Sequence, residues 1–299
     1  MKSAIVTGAT GFIGTHLCSE LLKNDIKVTG LARKDSGNIM RLQDVSLVWC
    51  GMDDYDSFEG EKADTFYHLA WEGATGTGRE DEELQAKNIA RTIKALKAAK
   101  RLGCRRFVAL GTVYENLVPQ ILMESRHRKP DFYLLSKQSA HYICMKLAEK
   151  LDIEFVWATI FQPIGRYIKK DQVMTYAISG LLSGEPPEFG PAMEPCDITA
   201  VEDIAYGLRL LGKCELTKKE YYIGSGSPMI MKEYLKRARE VLGVDTELKM
   251  GVRPDDGLHF SYDWYDISSI KKDTGYSVHV GFEQAVVNVA EWVKSGELI

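Results

Sequence analysis

Over residues 1–160 the apolar positions follow two rhythms in turn. Short β-branched runs read as buried strands at "SAIVTG" (3–8), "KVTGLAR" (27–33), "SLVWCG" (46–51), "ADTFYHLA" (63–70), "RFVALGT" (106–112) and "IEFVWATI" (153–160). Between them, amphipathic stretches predict helices over 11–24, 80–102 and 131–151, the last entered just after Pro130. In 80–102, Leu84, Ile89, Ile93 and Leu96 fall near one face and lysines near the other. Strands alternating with helices imply an α/β protein with a doubly wound parallel sheet covered on both faces. Beyond 160 the rhythm loosens. "SGEPPEFGP" (183–191) is a turn-rich connection, 201–212 and 231–243 read as helices around a strand at 219–226, and a last helix is expected over 282–296. The expected organisation is a first domain over 1–160, with 202–227 returning to it. A smaller interleaved C-terminal lobe, 161–201 and 228–299, would hold substrate.

Composition narrows the function classes. The chain is 45% hydrophobic and 27% charged with a net charge of -4, a globular profile without the basic footprint that nucleic acid or an anionic membrane requires. Its six cysteines are scattered without a Cys-x-x-Cys pair and its six histidines lack ligand spacing. They read as reduced thiols of a cytoplasmic protein with no metal site. No apolar run reaches the roughly 18 residues of a membrane span. Glycine interrupts the N-terminal segment before a signal-peptide core can form.

The first chemistry is a glycine-rich turn, "GATGFIG", placed where the first strand meets the first helix. Gly8 permits the tight turn, Gly11 lets backbone approach a pyrophosphate, and Gly14 lets helix pack on strand. Phosphate oxygens then meet free N–H groups and the positive end of the helix dipole. This is the dinucleotide site of a Rossmann domain. The tip of the second strand reads the ribose, where an acid favours a free 2′-hydroxyl and a base a 2′-phosphate. Arg33 and Lys34 occupy that tip, so NADP(H) is expected, with NAD kept open by Asp35 beside them.

The second is Tyr-x-x-x-Lys, which occurs twice, as Tyr133/Lys137 and Tyr142/Lys146. Residues i and i+4 share a helix face, so an ammonium group beside a phenol favours phenolate and equips it to exchange a proton with a substrate oxygen. "TGATGFIG", "ADTFYHLA" and Tyr133-x-x-x-Lys137, in this order, resemble the extended short-chain dehydrogenase/reductase family, in particular its NAD-dependent epimerase/dehydratase group acting on nucleotide sugars. The later segments "VEDIAYGLRL", "EYYIGSGSPMIMKEYL" and "DISSIKKDTGY" extend the resemblance along nearly the whole chain.

The resemblance implies that the catalytic tyrosine lies near the start of the helix after the fifth strand, which selects Tyr133. Tyr142, nine residues on, is half a turn away and reads as a packing or subunit-contact residue. It further implies Thr112 as the hydroxyl that orients the substrate oxygen, and Lys137 as a ligand of the nicotinamide ribose. Cofactor contacts are expected at Gly8, Thr10, Gly11, Phe12, Ile13, Gly14, Arg33, Lys34, Met52, Leu69, Ala70, Asn88, Tyr133 and Lys137, and substrate contacts at Trp71, Thr112, Gln162 and Arg253. Trp71 reads equally as a pocket wall or a packing residue. Arg253 would grip a diphosphate by its bidentate fork.

Val113 and Tyr114 stand where the family's dehydratases carry Asp-Glu, which argues against dehydration. With the basic tip, the expected activity is NADPH-dependent reduction of a nucleotide-linked 4-keto-6-deoxyhexose, Tyr133 supplying the proton. The alternatives are a nucleotide-sugar 4-epimerase with tightly bound NAD, a reductase of a non-sugar ketone, which the loss of family arginines at Thr159 and Cys196 keeps open, and a non-catalytic NADP-binding redox sensor. A homodimer through the helices at 80–102 and 131–151 is implied by the resemblance.

Overall fold

The strands that read as continuous apolar runs assemble into one parallel sheet, buried on both faces except at its Ser46–Trp49 edge, where Trp49 is exposed. A computed structural model of the chain describes residues 1–296. In chain order its elements are β1 (Ser3–Thr7), α1 (Phe12–Leu22), β2 (Lys27–Ala32), β3 (Ser46–Trp49), β4 (Thr65–His68), α2 (Glu82–Arg101), β5 (Arg106–Thr112), α3 (Val118–Met123), α4 (Asp131–Leu151) and β6 (Glu154–Ile160). There follow β7 (Gln162–Ile164), α5 (Val173–Ser183), β8 (Pro195–Cys196), β9 (Ile198–Ala200), α6 (Val201–Lys213), β10 (Glu220–Tyr222), β11 (Met229–Ile230), α7 (Met231–Leu242), α8 (Ser268–Thr274) and α9 (Phe282–Lys294). The seven-stranded sheet runs β10-β6-β5-β4-β1-β2-β3, with every neighbouring pair parallel. This is the Rossmann-type doubly wound arrangement. The strand order reverses between β1 and β4, so the ligand crevice lies beyond their carboxyl ends.

The chain divides into two compact units. The first comprises 1–160, 205–223 and 268–276; the second comprises 161–204, 224–267 and 277–296 of the described residues. The return segment therefore starts and stops a few residues inside the expected 202–227, and α8 groups with the first unit, not with the C-terminal lobe. Asp273 explains that placement: its carboxylate accepts from Tyr221 and from the Thr217 amide (2.9 Å) and hydroxyl (2.7 Å).

The core of the first unit stacks Phe66, Phe107 and Phe155 across β4, β5 and β6, with ring centroids 5.7 and 6.3 Å apart. Small residues of α2 and α4, among them Ala95, Ala98, Ala99, Ala140 and Ala148, let both helices settle close to this stack. Each buried phenylalanine contributes about 1.5–3 kcal/mol by area alone. Arg106 is buried in the same unit with its donors satisfied. It bonds the Leu211 and Cys214 carbonyls at the end of α6 (2.6 and 2.7 Å) and the Glu154 carboxylate (2.7 Å).

In the second unit β7 pairs with β9, β8 pairs with β11, and α5, α7 and α9 pack together. Asp203 is fully buried because its two oxygens accept the His279 and Val280 amides (2.9 and 3.0 Å). Among the described residues no helix is long and apolar enough to cross a membrane.

The amphipathic reading of α2 needs correction. Its buried face is polar in the first half, Gln85, Asn88, Arg91 and Thr92, and apolar in the second, Ala95, Leu96, Ala98 and Ala99, whereas Leu84, Ile89 and Ile93 are half-buried. A polar stripe can be buried when every donor and acceptor finds a partner, and here those partners surround the candidate site.

Candidate active site

At the carboxyl edge of the sheet the glycine turn has the shape its spacing predicts. Gly8 adopts φ +66°, and a Cβ on Gly14 would lie 2.1 Å from the Gly8 carbonyl oxygen, so only glycine lets α1 start this close to β1. The α1 N-terminus has no side-chain cap and no acidic residue in its first turn. The Phe12, Ile13 and Gly14 amides therefore lack intrahelical acceptors and are available to an anion. The residues present fit the pyrophosphate of a dinucleotide. Thr10 flanks the turn, accepting a hydrogen bond from Ser36 Oγ at 2.9 Å.

Across the switch point, the Leu69 and Ala70 amides both donate to Thr7 Oγ1 (3.2 Å each). Thr7 also meets His68 Nδ1 at 3.0 Å, and His68 Nε2 lies 3.2 Å from Thr92 Oγ1. The Thr92 hydroxyl donates to the Asn88 carbonyl (2.8 Å), so His68 Nε2 must be the protonated nitrogen facing it. Burial pushes His68 down to about 3, which keeps the ring neutral and this network fixed.

The loop after β4 is tied down by α2. Gln85 donates to the Gly73 and Gly78 carbonyls (3.0 and 2.7 Å) and accepts from Trp71 Nε1 (2.8 Å). Asn88 accepts the Glu72 amide (3.2 Å) and donates to its carbonyl (2.8 Å). Asn88, read from sequence as a cofactor contact, is thus placed to hold this loop. Met52 sits on a 3-10 turn and packs on the core. Next to it Asp53 is gripped by Arg91 through two bonds (2.9 and 2.8 Å), which holds its carboxyl below the usual range.

Tyr133 and Lys137 lie one turn apart on α4, both buried. Lys137 Nζ donates to the Leu110 carbonyl (2.8 Å) and lies 3.9 Å from the Trp71 ring centroid. Desolvation lowers it to about 7. Tyr133 is edge-on to Trp71 at 6.2 Å, and the Thr112 hydroxyl works to lower its pKa. Burial pushes its phenol up to about 12, opposed chiefly by the Arg79 guanidinium, whose carbon lies 4.8 Å from the ring centroid. The cation expected to favour phenolate was Lys137; the one that does so here is Arg79. No motif marks Arg79, since it sits in the Gly/Thr-rich loop and only folding carries it over the ring. Thr112 ends β5, and its hydroxyl also accepts the Tyr114 amide at 3.3 Å. Tyr142 is half exposed and Lys146 pairs with Glu149 at 3.1 Å, so the second Tyr-x-x-x-Lys lies outside this cluster.

Gln162 and Arg253 belong to the second unit. Gln162 starts β7, half-buried. Arg253 donates from Nη2 to the Tyr176 hydroxyl (2.9 Å) with its guanidinium carbon 5.0 Å from that ring centroid.

Comparison with known proteins agrees with this fold. The sequence profile of the NAD dependent epimerase/dehydratase family matches residues 4–224. An uncharacterized UDP-glucose epimerase of Bacillus subtilis (strain 168) is 24% identical over 97% of this chain and 98% of its own length. The dTDP-glucose 4,6-dehydratase of Actinoplanes sp. is 25% identical over 97% of each. The crystal structure of UDP-glucuronic acid 4-epimerase from Bacillus cereus, in complex with NAD, superposes with a TM-score of 0.79 at 21% identity, covering 99% of this chain and 97% of that one.

These findings overturn two expectations. Similar solved structures hold NAD or NADH, and epimerases recur among them, so the expectations of NADP(H) and of an NADPH-dependent reductase are both overturned. The physical reason lies at Arg33. Its guanidinium is 3.6 Å from the Asp35 carboxylate and 3.6 Å from that of Glu72. The basic tip of Arg33 and Lys34 is therefore flanked by carboxylates that a 2′-phosphate would meet, and Glu72, itself held by Arg91 at 2.7 Å, reaches it from the loop after β4, which the local sequence does not show. The conclusion on kinship is direct: the chain belongs to the NAD-dependent epimerase/dehydratase family.

Proposed function

We propose that the protein is a nucleotide-sugar 4-epimerase that works with tightly held NAD. The observation that carries this reading is the cluster of Thr112, Tyr133 and Lys137 at the carboxyl end of β5, in the same unit as a glycine turn whose amides are open to a pyrophosphate. Bound NAD would supply a reversible acceptor for the hydrogen on the sugar's reacting carbon and a positive charge that favours phenolate. Tyr133 then takes the proton of the sugar hydroxyl as a ketone forms, and returns it after the ketone has turned its other face. Thr112 orients the reacting oxygen by hydrogen bonding. Lys137 would hold the nicotinamide ribose. Because the hydrogen is given back, no net redox occurs and no cofactor exchange is needed.

Dehydration lacks support. It requires an acid and a base beside the reacting carbons, and Val113 and Tyr114 follow Thr112 instead. The next acid, Glu115, is buried and already engaged by Thr112 and Trp157. The names of the relatives favour UDP-linked hexoses or hexuronates as substrates. The test is to denature the purified protein, identify the nucleotide released, and incubate the native protein with UDP- and dTDP-linked sugars without added cofactor. NAD in the released fraction and a 4-epimer in the incubation are expected. A released fraction without NAD, together with no epimer from any sugar, contradicts the reading.

A further inference from the structure

The stripe of α4 that carries Tyr133 and Lys137 continues one turn further to His141, which is buried. Its ring lies flat on the Trp157 indole, with centroids 4.6 Å apart and planes 2° from parallel. His141 Nδ1 is 3.3 Å from the Glu115 carboxylate, and Nε2 is 3.5 Å from that of Glu220, an ion-pair contact, not a hydrogen bond. Glu115 is 5% exposed. It accepts the Thr112 amide (2.8 Å) and Trp157 Nε1 (3.1 Å to each oxygen). Thr112 and Glu115 form a capping box on the 3-10 turn Val113–Leu117. A capping box normally leaves its acid in solvent, whereas this one is sealed under an indole and given a histidine.

We propose that Glu115 and His141 form a buried ion pair that positions Thr112 and sets the charge balance of the Tyr133–Lys137 pair. A carboxylate taken out of water needs a partner cation, and the Thr112 amide and the Trp157 N–H, though donors, carry no charge. Burial works against a charged His141, but Glu115 and then Glu220 outweigh it and its pKa is raised. Glu115 acts in turn on both catalytic side chains, favouring the Lys137 ammonium and disfavouring the Tyr133 phenolate. The other groups that face the pair are Glu220 from β10, Trp157 from β6, Thr112 from β5, and Tyr142 and Gln138 from α4 itself. With His141 charged, the influence of Glu115 on the catalytic pair is partly cancelled. With His141 neutral, that influence is felt in full. Both are positioning residues, acting through Thr112 and through charge without touching substrate.

The functional half of this proposal rests on the epimerase reading, so its main test does not. The midpoint of Lys137 is followed by carbon-13 NMR of lysine Cε in the purified chain with the cofactor it retains, the signal being assigned with Lys137→Met. Glu115→Gln should lower the Lys137 midpoint and His141→Gln should raise it, each by about one unit, or tenfold in proton affinity. Glu115→Asp should return it toward wild type. A purely structural role predicts lost stability in both variants and no opposed shifts, so shifts of one sign, or none, overturn the proposal. Should Glu115→Gln fail to fold, the upward shift in His141→Gln decides alone. In turnover, the pH profile of kcat should move with these midpoints while KM holds. If the wild type turns over no sugar nucleotide, the epimerase reading fails and the NMR titrations still decide this one.

Discussion

At the scale of single residues, the site depends on what burial does to two ionisable groups. Tyr133 sits far above physiological pH, so it can act as a base only with cations nearby, and Arg79 is the one the fold supplies. Tyr133→Phe should lower turnover by about 10²–10⁴ while the protein keeps its nucleotide, read by kcat and by the nucleotide released on denaturation. Tyr142→Phe, on the exposed face, should leave kcat unchanged. Arg79→Gln should move the phenol-dependent limb of the pH profile to higher pH. Lys137 carries a stability consequence with a defined sign. Its folded value of about 7 lies below the unfolded value of about 10.4. Between these, the unfolded chain binds more protons, so the contribution of Lys137 to stability rises with pH across the window, by at most about 1.4 kcal/mol per unit. Below the folded value both states are protonated and the burial cost is fully present. Urea midpoints across that range should climb in the wild type and flatten in Lys137→Met. Tyr133 and Lys137 were legible in the sequence because spacing and position along the chain mark them. Arg79 and Glu72, which faces Arg33, were not, since each comes from the loop after β4, whose course only the tertiary fold determines.

At the scale of elements, α2 shows where periodicity misleads. Its C-terminal half buries the apolar Ala95, Leu96, Ala98 and Ala99, but its N-terminal half buries Gln85, Asn88, Arg91 and Thr92, which bond the loop after β4, Asp53 and His68. A hydrophobic pattern identifies a core face only where the neighbour is also apolar. Gln85→Leu keeps the volume but leaves the Gly73 and Gly78 carbonyls without donors. It should cost about 1–3 kcal/mol and speed amide exchange over 72–80, measured by hydrogen exchange. The N-terminus of α2 lies at Glu82, two residues after the expected start, where Asp81 caps it by accepting the Leu84 amide at 2.9 Å. The helix α5 was missed because its sequence, "VMTYAISGLLS", is apolar nearly all round and so shows no face.

At the scale of the whole chain, the strand-helix alternation was enough to give the parallel sheet, because strands buried on both faces must be apolar throughout. The second half was harder. Its strands are two or three residues long, too short for any period, and the α8 segment joins the first unit through Asp273 and Tyr221. The Phe66–Phe107–Phe155 stack should govern the stability of the first unit, so Phe107→Ala should cost about 3–5 kcal/mol in chemical denaturation. The misreading of the cofactor was in part a long-range error, since Glu72 approaches Arg33 from a loop far along the chain.

The central claim is that hydrogen leaves the sugar and returns to the same carbon inside one active site. It is tested by giving the protein a UDP-hexose or UDP-hexuronate deuterated at carbon 4, with no nicotinamide added, and following the products by NMR. The account predicts a 4-epimer that keeps the deuterium at carbon 4, with the same mixture reached from either epimer. Deuterium lost to solvent, or a reduced sugar formed only at the stoichiometric expense of added NADPH, would contradict it.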